Sequence, residues 1–568
     1  VKKAYKFKLK CQVKIKILII MFILLLFCLA VCSTNASKKP NIVYFITDDQ
    51  DQMLGSSFPI HDSATPLSKT KDILQNKGSM ATNFFIHTPI CCPSRSELIS
   101  GRYFHNIKIN PTAPPLPKNG NCMHVNVSQI NDNTFARHLN ESAGYRVGMF
   151  GKYLNAIPNM RDVPRGFDAW MANGGGSYLA PQFSTANLDF VNISDGTWKG
   201  TSDNYTTAVV GNVSIAWIRE VVKEDKHPFF AYIAPKACHE PFIPAPWYVD
   251  HWNDTWPLHE PRNNPAYNSS FEMRSDHHGN IATNPLITPE GQEVITGVFK
   301  NRWRVLMSVD DVIDAVITEL KELNVIDNTY IFYTSDHGFQ LGEFNMLMDK
   351  RHVYDWDTRV HLLTRGPGIL PGSTWHQPAT QVDLAATWMG IAGLEIPADM
   401  DGKSLLPILI NDVKNAPSTV QQHISNINKD NVYLNNWRDA AFIEYYYVAV
   451  NDKCVQNCTC TNCLWPETDC DCVDLKEKEG CWGPDKGSVQ PNCNQECYPT
   501  ENTANNYIAL RSVGDVNTLY AEFATGNQDR SDINFNTPDF YEYYNSEIDP
   551  WQVNNLHGST DSKMLKKL

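Results

Sequence analysis

Four short runs of β-branched and aromatic residues, each followed by titratable side chains, set the strongest limit on how this chain can fold. Asn41 to Thr47, Tyr145 to Phe150, Pro228 to Ala234 and Thr329 to Thr334 have the length and composition of buried strands. The first leads into Asp48-Asp49, the second into Gly151-Lys152, the third to His239 a few residues on, and the fourth into Asp336-His337. Apolar stripes at helical spacing lie between the later runs. One comprises Val210, Val213, Trp217, Ile218 and Val221; the other comprises Val309, Val312, Ile313, Val316, Leu320 and Leu323. Strands alternating with core-facing helices imply an α/β fold, a mostly parallel central sheet flanked by helices. Ligands of such sheets bind just beyond the carboxyl ends of the strands. One polar pair at a strand end reads as a surface loop; four such ends mark one edge of the sheet as a site.

The residue types at those ends suit a metal and an anion. Asp48, Asp49 and Asp336 are hard oxygen donors of the kind calcium or magnesium takes, although aspartate also follows strands as a turn or cap residue. His337 is either a nitrogen ligand or a partner of the ligands. Lys152, and Lys350 in the loop after the Asp336 strand, are fixed cations able to neutralise a charged oxygen. His239, in His239-Glu240-Pro241, is placed to hand a proton to a leaving group. The neighbouring Cys238 invites a thiol-enzyme reading, but no separate histidine and asparagine or aspartate pattern accompanies it.

A second motif is Cys91-Cys92-Pro93-Ser94-Arg95, closed by Gly101-Arg102. The run Ala81 to Ile86 ahead of it reads as a strand, and Pro93 suits the first turn of a helix. Cys91 would then sit at a helix amino terminus, where backbone N–H groups and the helix dipole favour negative charge. Arg95 lies about one turn further on. Leu98 and Ile99 read as packing. A buried disulfide half or an ordinary core thiol are the plain alternatives for Cys91.

The chain has 568 residues and a net charge of -13, enough length for two or more domains and the wrong sign for nucleic acid as a general partner. Seven lysines precede an apolar run from Ile17 to Cys32, and small polar residues follow. This reads as a signal peptide over residues 1–36, with a signal anchor as the minority alternative; the run is short for a membrane span. The mature protein is therefore expected to carry no membrane segment. The chain opens on Val1, which reads as an incomplete amino terminus. Sequons at Asn126, Asn140, Asn192, Asn204, Asn212, Asn253, Asn268 and Asn457 agree with a secretory route, as candidate glycan acceptors. Nine cysteines crowd between Cys454 and Cys497. In an oxidising lumen they read as disulfides stapling a long loop, and in a reducing compartment as zinc ligands. The odd number leaves one to pair elsewhere, with Cys122 or Cys238 as candidates. Past Ile408 the sequence becomes polar and rich in asparagine, so residues 38–414 and 415–568 are expected to form a larger and a smaller domain. The smaller one holds the cysteine-rich insert at 454–497 and late strands near Tyr520 to Ala524 and Phe540 to Tyr544.

The Cys91 motif resembles the sulfatase signature C-x-P-S-R-x-x-x-x-x-G-R. From about Lys38 to Leu409 the chain is similar to that family, including Gly151-Lys152-Tyr153-Leu154-Asn155, Ser308-Val309-Asp310-Asp311, Asp349-Lys350-Arg351, Arg365-Gly366-Pro367-Gly368 and Met400 to Pro407. Within it the resemblance is greatest to the branch acting on the 6-sulfate of N-acetylglucosamine in heparan and keratan sulfate. It implies an alkaline-phosphatase-like α/β fold with a smaller C-terminal α+β domain. It also implies one calcium ion held by Asp48, Asp49, residue 91, Asp336 and His337, and oxidation of Cys91 to formylglycine by the formylglycine-generating enzyme. In the implied mechanism the hydrated aldehyde attacks sulfur, Arg95 orients it, Lys152 and Lys350 neutralise sulfate oxygens, and His239 protonates the leaving alcohol. The implied substrate is a sulfated glycosaminoglycan, and the implied location is the lysosome or the outside of the cell. Leu154 stands where many sulfatases have histidine, His337 where the glucosamine branch has asparagine, and His361 where proline is usual. An arylsulfatase, an extracellular heparan 6-endosulfatase (a type that carries a long basic insert) and an inactive sulfated-glycan binder are the other readings.

Overall fold

Strand β1, Asn41–Thr47, lies at the centre of an 11-stranded sheet, and its side chains alternate between two cores. Ile42, Tyr44 and Ile46 enter one hydrophobic cluster, Val43 and Phe45 the other. This is the period-two alternation of a strand covered on both faces. The computed structural model describes residues 38–52, 65–109, 122–155, 162–251, 264–282, 284–287, 289–448, 454–456, 497–499, 501, 503–528 and 532–560. The expected signal segment, the sequons at Asn253 and Asn457 and most of the cysteine-rich stretch fall outside these residues.

The other strands of the large sheet are β2 (Ser79–Phe85), β3 (Arg146–Lys152), β4 (Ala169–Asn173), β5 (Gln182–Ala186), β6 (Gly196–Lys199), β7 (Phe229–Ala234), β8 (Thr329–Ser335), β9 (Arg359–Arg365), β10 (Ser373–Trp375) and β11 (Ala379–Thr380). Their order is β10-β2-β9-β8-β1-β7-β3-β4-β5-β6, with β11 also on β2. The central five, β8, β1, β7, β3 and β4, run parallel; β9 and β5 run against their neighbours. The four strands expected from the sequence are thus β1, β3, β7 and β8. Because they are parallel neighbours, their carboxyl ends share one edge.

Helices α1 (Cys91–Ser100), α2 (Thr206–Glu224), α3 (Pro289–Glu322), α4 (Val382–Ile391) and α5 (Ser418–Ile427) cover the sheet and one another. α2 packs on β3, β7 and α3, and its buried Val210, Trp217, Ile218 and Val221 join Val309, Ile313, Val316 and Leu320 of α3 in one cluster. Each such side chain contributes about 1.5–3 kcal/mol relative to exposure. α1 and α4 lie against each other in the second cluster. There Trp388 sits with ring centroids 4.7–4.9 Å from Phe135, Phe230 and Tyr44. No described helix is long and apolar enough to cross a membrane.

A second sheet, smaller and antiparallel, has the order β12-β15-β16-β17, formed by Ala440–Tyr445, Tyr507–Ser512, Thr518–Phe523 and Phe540–Asn545. The short pair β13 (Cys454–Gln456) and β14 (Cys497–Pro499) lies between its first two strands in sequence. α5 packs on α4, ahead of the small sheet, and the described residues from Pro40 onward form one compact unit. One pairing expectation needs correction. Cys122 is bonded to Cys92 and is therefore no partner for the cysteine-rich segment. The side-chain amide of Asn140, one of the sequon residues, donates to Tyr145 O and Asp168 Oδ2 at 2.9 and 2.8 Å.

Candidate active site

Backbone pairing between strand ends assembles the site. Beyond β1 and β7, Asp48 N donates to Ala237 O at 2.8 Å and Cys238 N donates back to Asp48 O at 2.7 Å. This zips the Asp48-Asp49 turn to the segment carrying His239. Beyond β8, Asp336 N donates to Thr47 O and Asp49 N donates to Asp336 Oδ1, each at 3.2 Å. At the end of β3, Gly151 has φ +114, and an added Cβ would stand 2.0 Å from Ala234 O. Only glycine lets β3 approach β7 closely enough to aim Lys152 at Asp48.

Cys91 opens α1, is 2% exposed and is a free thiol, so its disulfide alternative is closed. Its Sγ lies 3.4 Å from Asp48 Oδ1 and 3.3 Å from His337 Nε2. His337 Nδ1 faces Gly338 O at 2.8 Å, an N–H to carbonyl bond that leaves Nε2 turned toward the acidic groups. From there Nε2 is 3.4 Å from Asp49 Oδ1 and 3.6 Å from Asp336 Oδ1. Ligand-type atoms of Asp48, Cys91, Asp336 and His337 all lie within 4.8 Å of one another, as do those of Asp48, Asp49, Cys91 and His239. This edge is a buried, metal-competent centre.

Cations flank it. Lys152 Nζ donates to Asp48 Oδ2 and Lys350 Nζ to Asp49 Oδ1, both at 2.5 Å. Burial alone would raise the Asp48 carboxyl; Lys152 foremost, then His239 and Arg95, outweigh it and hold it well below the usual range. Asp49 is lowered against the same burial effect, chiefly by Lys350. Asp336 goes the other way, raised by burial and by Asp48. His239 Nε2 stands 4.0 Å from Asp49 Oδ2, and burial pulls its pKa down to about 3. Burial pushes the Cys238 thiol up to about 12, which makes it inert as a nucleophile at neutral pH.

Arg95 reaches this centre through other residues. Its Nε donates to Asp336 Oδ2 at 2.8 Å and an Nη to Lys152 O at 2.9 Å, so it fixes a carboxylate and a strand end rather than touching Sγ. Three residues were missed by sequence reasoning. Arg302 donates from one Nη to Asp49 O at 2.5 Å and to Asp51 Oδ1 at 2.9 Å, bracing the two-aspartate turn. It stands seven residues before Val309 on the same stripe of α3, and a cation there was the available signal. Lys236 Nζ donates to Gly176 O at 2.6 Å, and burial with the nearby Lys152 lowers its pKa to about 8. Gln381 accepts from the Ser94 hydroxyl at 3.0 Å.

The sulfatase family model matches residues 40–394, most of the chain. The chain belongs to the sulfatase family. As a sulfatase it is a sulfuric ester hydrolase. A second model, the N-sulphoglucosamine sulphohydrolase C-terminal region, matches residues 342–461 of this sulfatase. N-acetylglucosamine-6-sulfatase of Homo sapiens is 30% identical over 552 residues, covering 95% of this chain and 85% of the human protein. The extracellular sulfatase SULF-1 homolog of Drosophila melanogaster is 31% identical over 411 residues, 72% of this chain and 33% of that one. A solved structure in complex with its substrate, D-glucosamine-2-N,6-O-disulfate, shares the fold with a TM-score of 0.63 at 21% identity, covering 94% of this chain and 96% of that chain.

Proposed function

We propose that this sulfatase hydrolyses the 6-sulfate of N-acetylglucosamine or glucosamine residues in heparan sulfate or keratan sulfate. The observation that carries the reading is Cys91 Sγ held between Asp48 and His337, with Lys152 and Lys350 on either side. The substrate class follows the human relative, similar along 95% of the chain, and the neighbour bound to a 6-O-sulfated glucosamine.

The residues fit the two groups the family uses. Asp48, Asp49 and Asp336 supply carboxylate oxygens of the kind calcium prefers, His337 adds a nitrogen, and buried Asp49 Oδ2 has no hydrogen-bond partner of its own. Such an ion would withdraw charge from the sulfate oxygens. Formylglycine at position 91, made by the formylglycine-generating enzyme in the secretory pathway, would supply an aldehyde hydrate as oxygen nucleophile and as the means of releasing sulfate. The chain's own side chains do the rest. Lys152 and Lys350 bind the sulfate oxygens, where fixed cations stabilise developing charge. Arg95 holds Asp336 in place. His239 gives its proton to the ester oxygen as the S–O bond breaks, and the negative charge of the bound sulfate raises its pKa for that task. Overall, ester and water become alcohol, sulfate and one proton. Location in the lysosome or outside the cell is part of the same proposal.

The test is sulfate release from 6-sulfated N-acetylglucosamine, an aryl sulfate and intact heparan sulfate. Turnover of the monosaccharide well above the aryl ester is the expected result. Activity on the aryl ester alone overturns the substrate assignment, and release from internal positions of the intact polymer points to the endosulfatase type.

A further inference from the structure

A second cluster of metal-type donors lies away from Cys91. It joins His87 in the loop between β2 and α1, His105 just past α1, and Glu444 in β12. Glu444 Oε1 is 2.8 Å from His87 Nε2 and 2.8 Å from His105 Nδ1. Glu97 of α1 lies next to this set, its Oε1 3.7 Å from His87 Nε2 and accepting from Phe104 N at 3.0 Å. The surrounding shell orients each group. His87 Nδ1 meets Phe442 O at 2.7 Å, which requires the proton on Nδ1 and turns Nε2 toward the two carboxylates. Tyr446 donates its hydroxyl to Glu444 Oε2 at 2.7 Å, and Thr88 donates to Glu97 Oε1 at 2.8 Å.

Charge makes this cluster unusual. The Glu97 and Glu444 side chains are 0% and 1% exposed and face one imidazole. An imidazolium on His87 or His105 balances Glu444, and the second carboxyl, Glu97, is left to hold a proton of its own. Burial drives Glu97 up to about 8, and its Oε2 is buried without a hydrogen-bond partner. Buried polar atoms of that kind point to a group that completes them. A divalent cation would balance both carboxylates and leave both imidazoles neutral. Two histidine nitrogens with carboxylate oxygens form a donor set that zinc accepts. The His105 side chain is 39% exposed, which gives an ion a way in.

We propose that His87, His105 and Glu444 bind a divalent transition-metal ion of the zinc type, beside Glu97 and at a site separate from the Cys91 centre. The ion ties the segments on either side of the helix that begins with Cys91 to the first strand of the small sheet.

The test uses the full-length secreted protein, stripped with chelator, returned to excess calcium and titrated with zinc. Zinc per chain is read by elemental analysis after gel filtration, and thermal midpoints are recorded with and without the metal. Cobalt provides a second readout, through the visible absorption of a low-coordinate nitrogen and oxygen site. The wild type is expected to take up one more zinc than His105→Ala, which loses a partly exposed ligand and binds on the order of 100-fold more weakly. Zinc should raise the thermal midpoint of the wild type but not of that variant. Equal uptake by both proteins, or no uptake and no cobalt band in the wild type, overturns the proposal and leaves a protonated hydrogen-bond network.

Discussion

Lys350 Nζ donates to Asp49 Oδ1 at 2.5 Å across 301 positions of sequence, and the small sheet holds the loop that makes this reach. Arg351, next in the chain, has φ +90, a conformation costly for a side chain other than glycine. Its carbonyl accepts from Asn505 Nδ2 and from the Tyr507 hydroxyl at 3.1 Å each, and its guanidinium donates to Asp349 Oδ2 at 2.6 Å. The C-terminal region therefore decides where Lys350 points. Tyr507→Phe should remove one of these bonds, worth about 0.5–1.5 kcal/mol, and lower kcat/KM for a sulfate ester by up to about tenfold. Lys350→Ala should cost on the order of 100-fold or more. Steady-state kinetics beside thermal melts check both, since a purely structural role would move the melt without the kinetics.

Cys91→Ser is nearly isosteric at a buried helix start, so the variant should fold and melt like the parent. Sulfate release should fall to background. In protein from a maturation-competent host, mass spectrometry of the peptide containing residue 91 should show an aldehyde in place of the thiol; an intact thiol in active protein would refute the nucleophile.

The Cys92–Cys122 bridge closes a loop with a sequence separation of 30 immediately beside the nucleophile position. Cys122→Ser should destabilise the fold by about 3–4 kcal/mol on loop-closure grounds. Denaturant unfolding with and without reductant reads this directly: reductant should destabilise the parent more than the variant, by about the same margin.

Asp355 pairs with Arg511 through two bonds of 2.8 and 3.0 Å, joining the turn just before β9 of the large sheet to β15. Burial alone would raise the Asp355 carboxyl, but Arg511 outweighs it and holds the pKa down at about 2. A depressed folded pKa stabilises fully above the ordinary carboxyl value of about 3.9 and loses that stabilisation as pH falls toward the folded value. Unfolding curves between pH 5 and 2 should show this loss in the parent. Arg511→Met should cost about 1.5–3 kcal/mol near neutral pH, because it removes two charged hydrogen bonds and leaves the buried carboxylate to Arg359 at 3.5 Å and Gln552 at 3.0 Å, and it should flatten the acid dependence.

Gly151→Ala would force a Cβ against Ala234 O, 2.0 Å away, at a φ of +114. The substitution should displace Lys152 and lower kcat/KM together with stability, by about 1–3 kcal/mol in the melt. Equal kinetics in the variant would show that the end of β3 does not position Lys152.

The strands that carry chemistry were legible because their signal is local. β1 matches its apolar run residue for residue, and β3, β7 and β8 begin or end within two residues of theirs. α3 begins at Pro289, well before the stripe that announced it, because Phe299, Trp303 and Leu306 bury the earlier turns and Arg302 turns a cation to the site. The edge strands β5, β6, β10 and β11 left no clear mark: they are short, and the sheet rather than their own pattern holds them extended. Lys236 and Gln381 were equally silent, since an isolated lysine or glutamine has no spacing that sets it apart from a surface residue.

The sequence by itself determined the α/β alternation, the polar strand ends and the sulfatase motif at Cys91, because each is written in neighbouring residues and in the two periodicities of strand and helix. Tertiary structure alone decided that Asp48, Cys91, Asp336 and His337 meet within 4.8 Å, that Cys92 takes Cys122, and that residues near 505 steer Lys350. Those relationships depend on which parallel strands become neighbours and how closely their ends approach. That outcome belongs to the packing of the whole sheet and to no stretch of the chain alone.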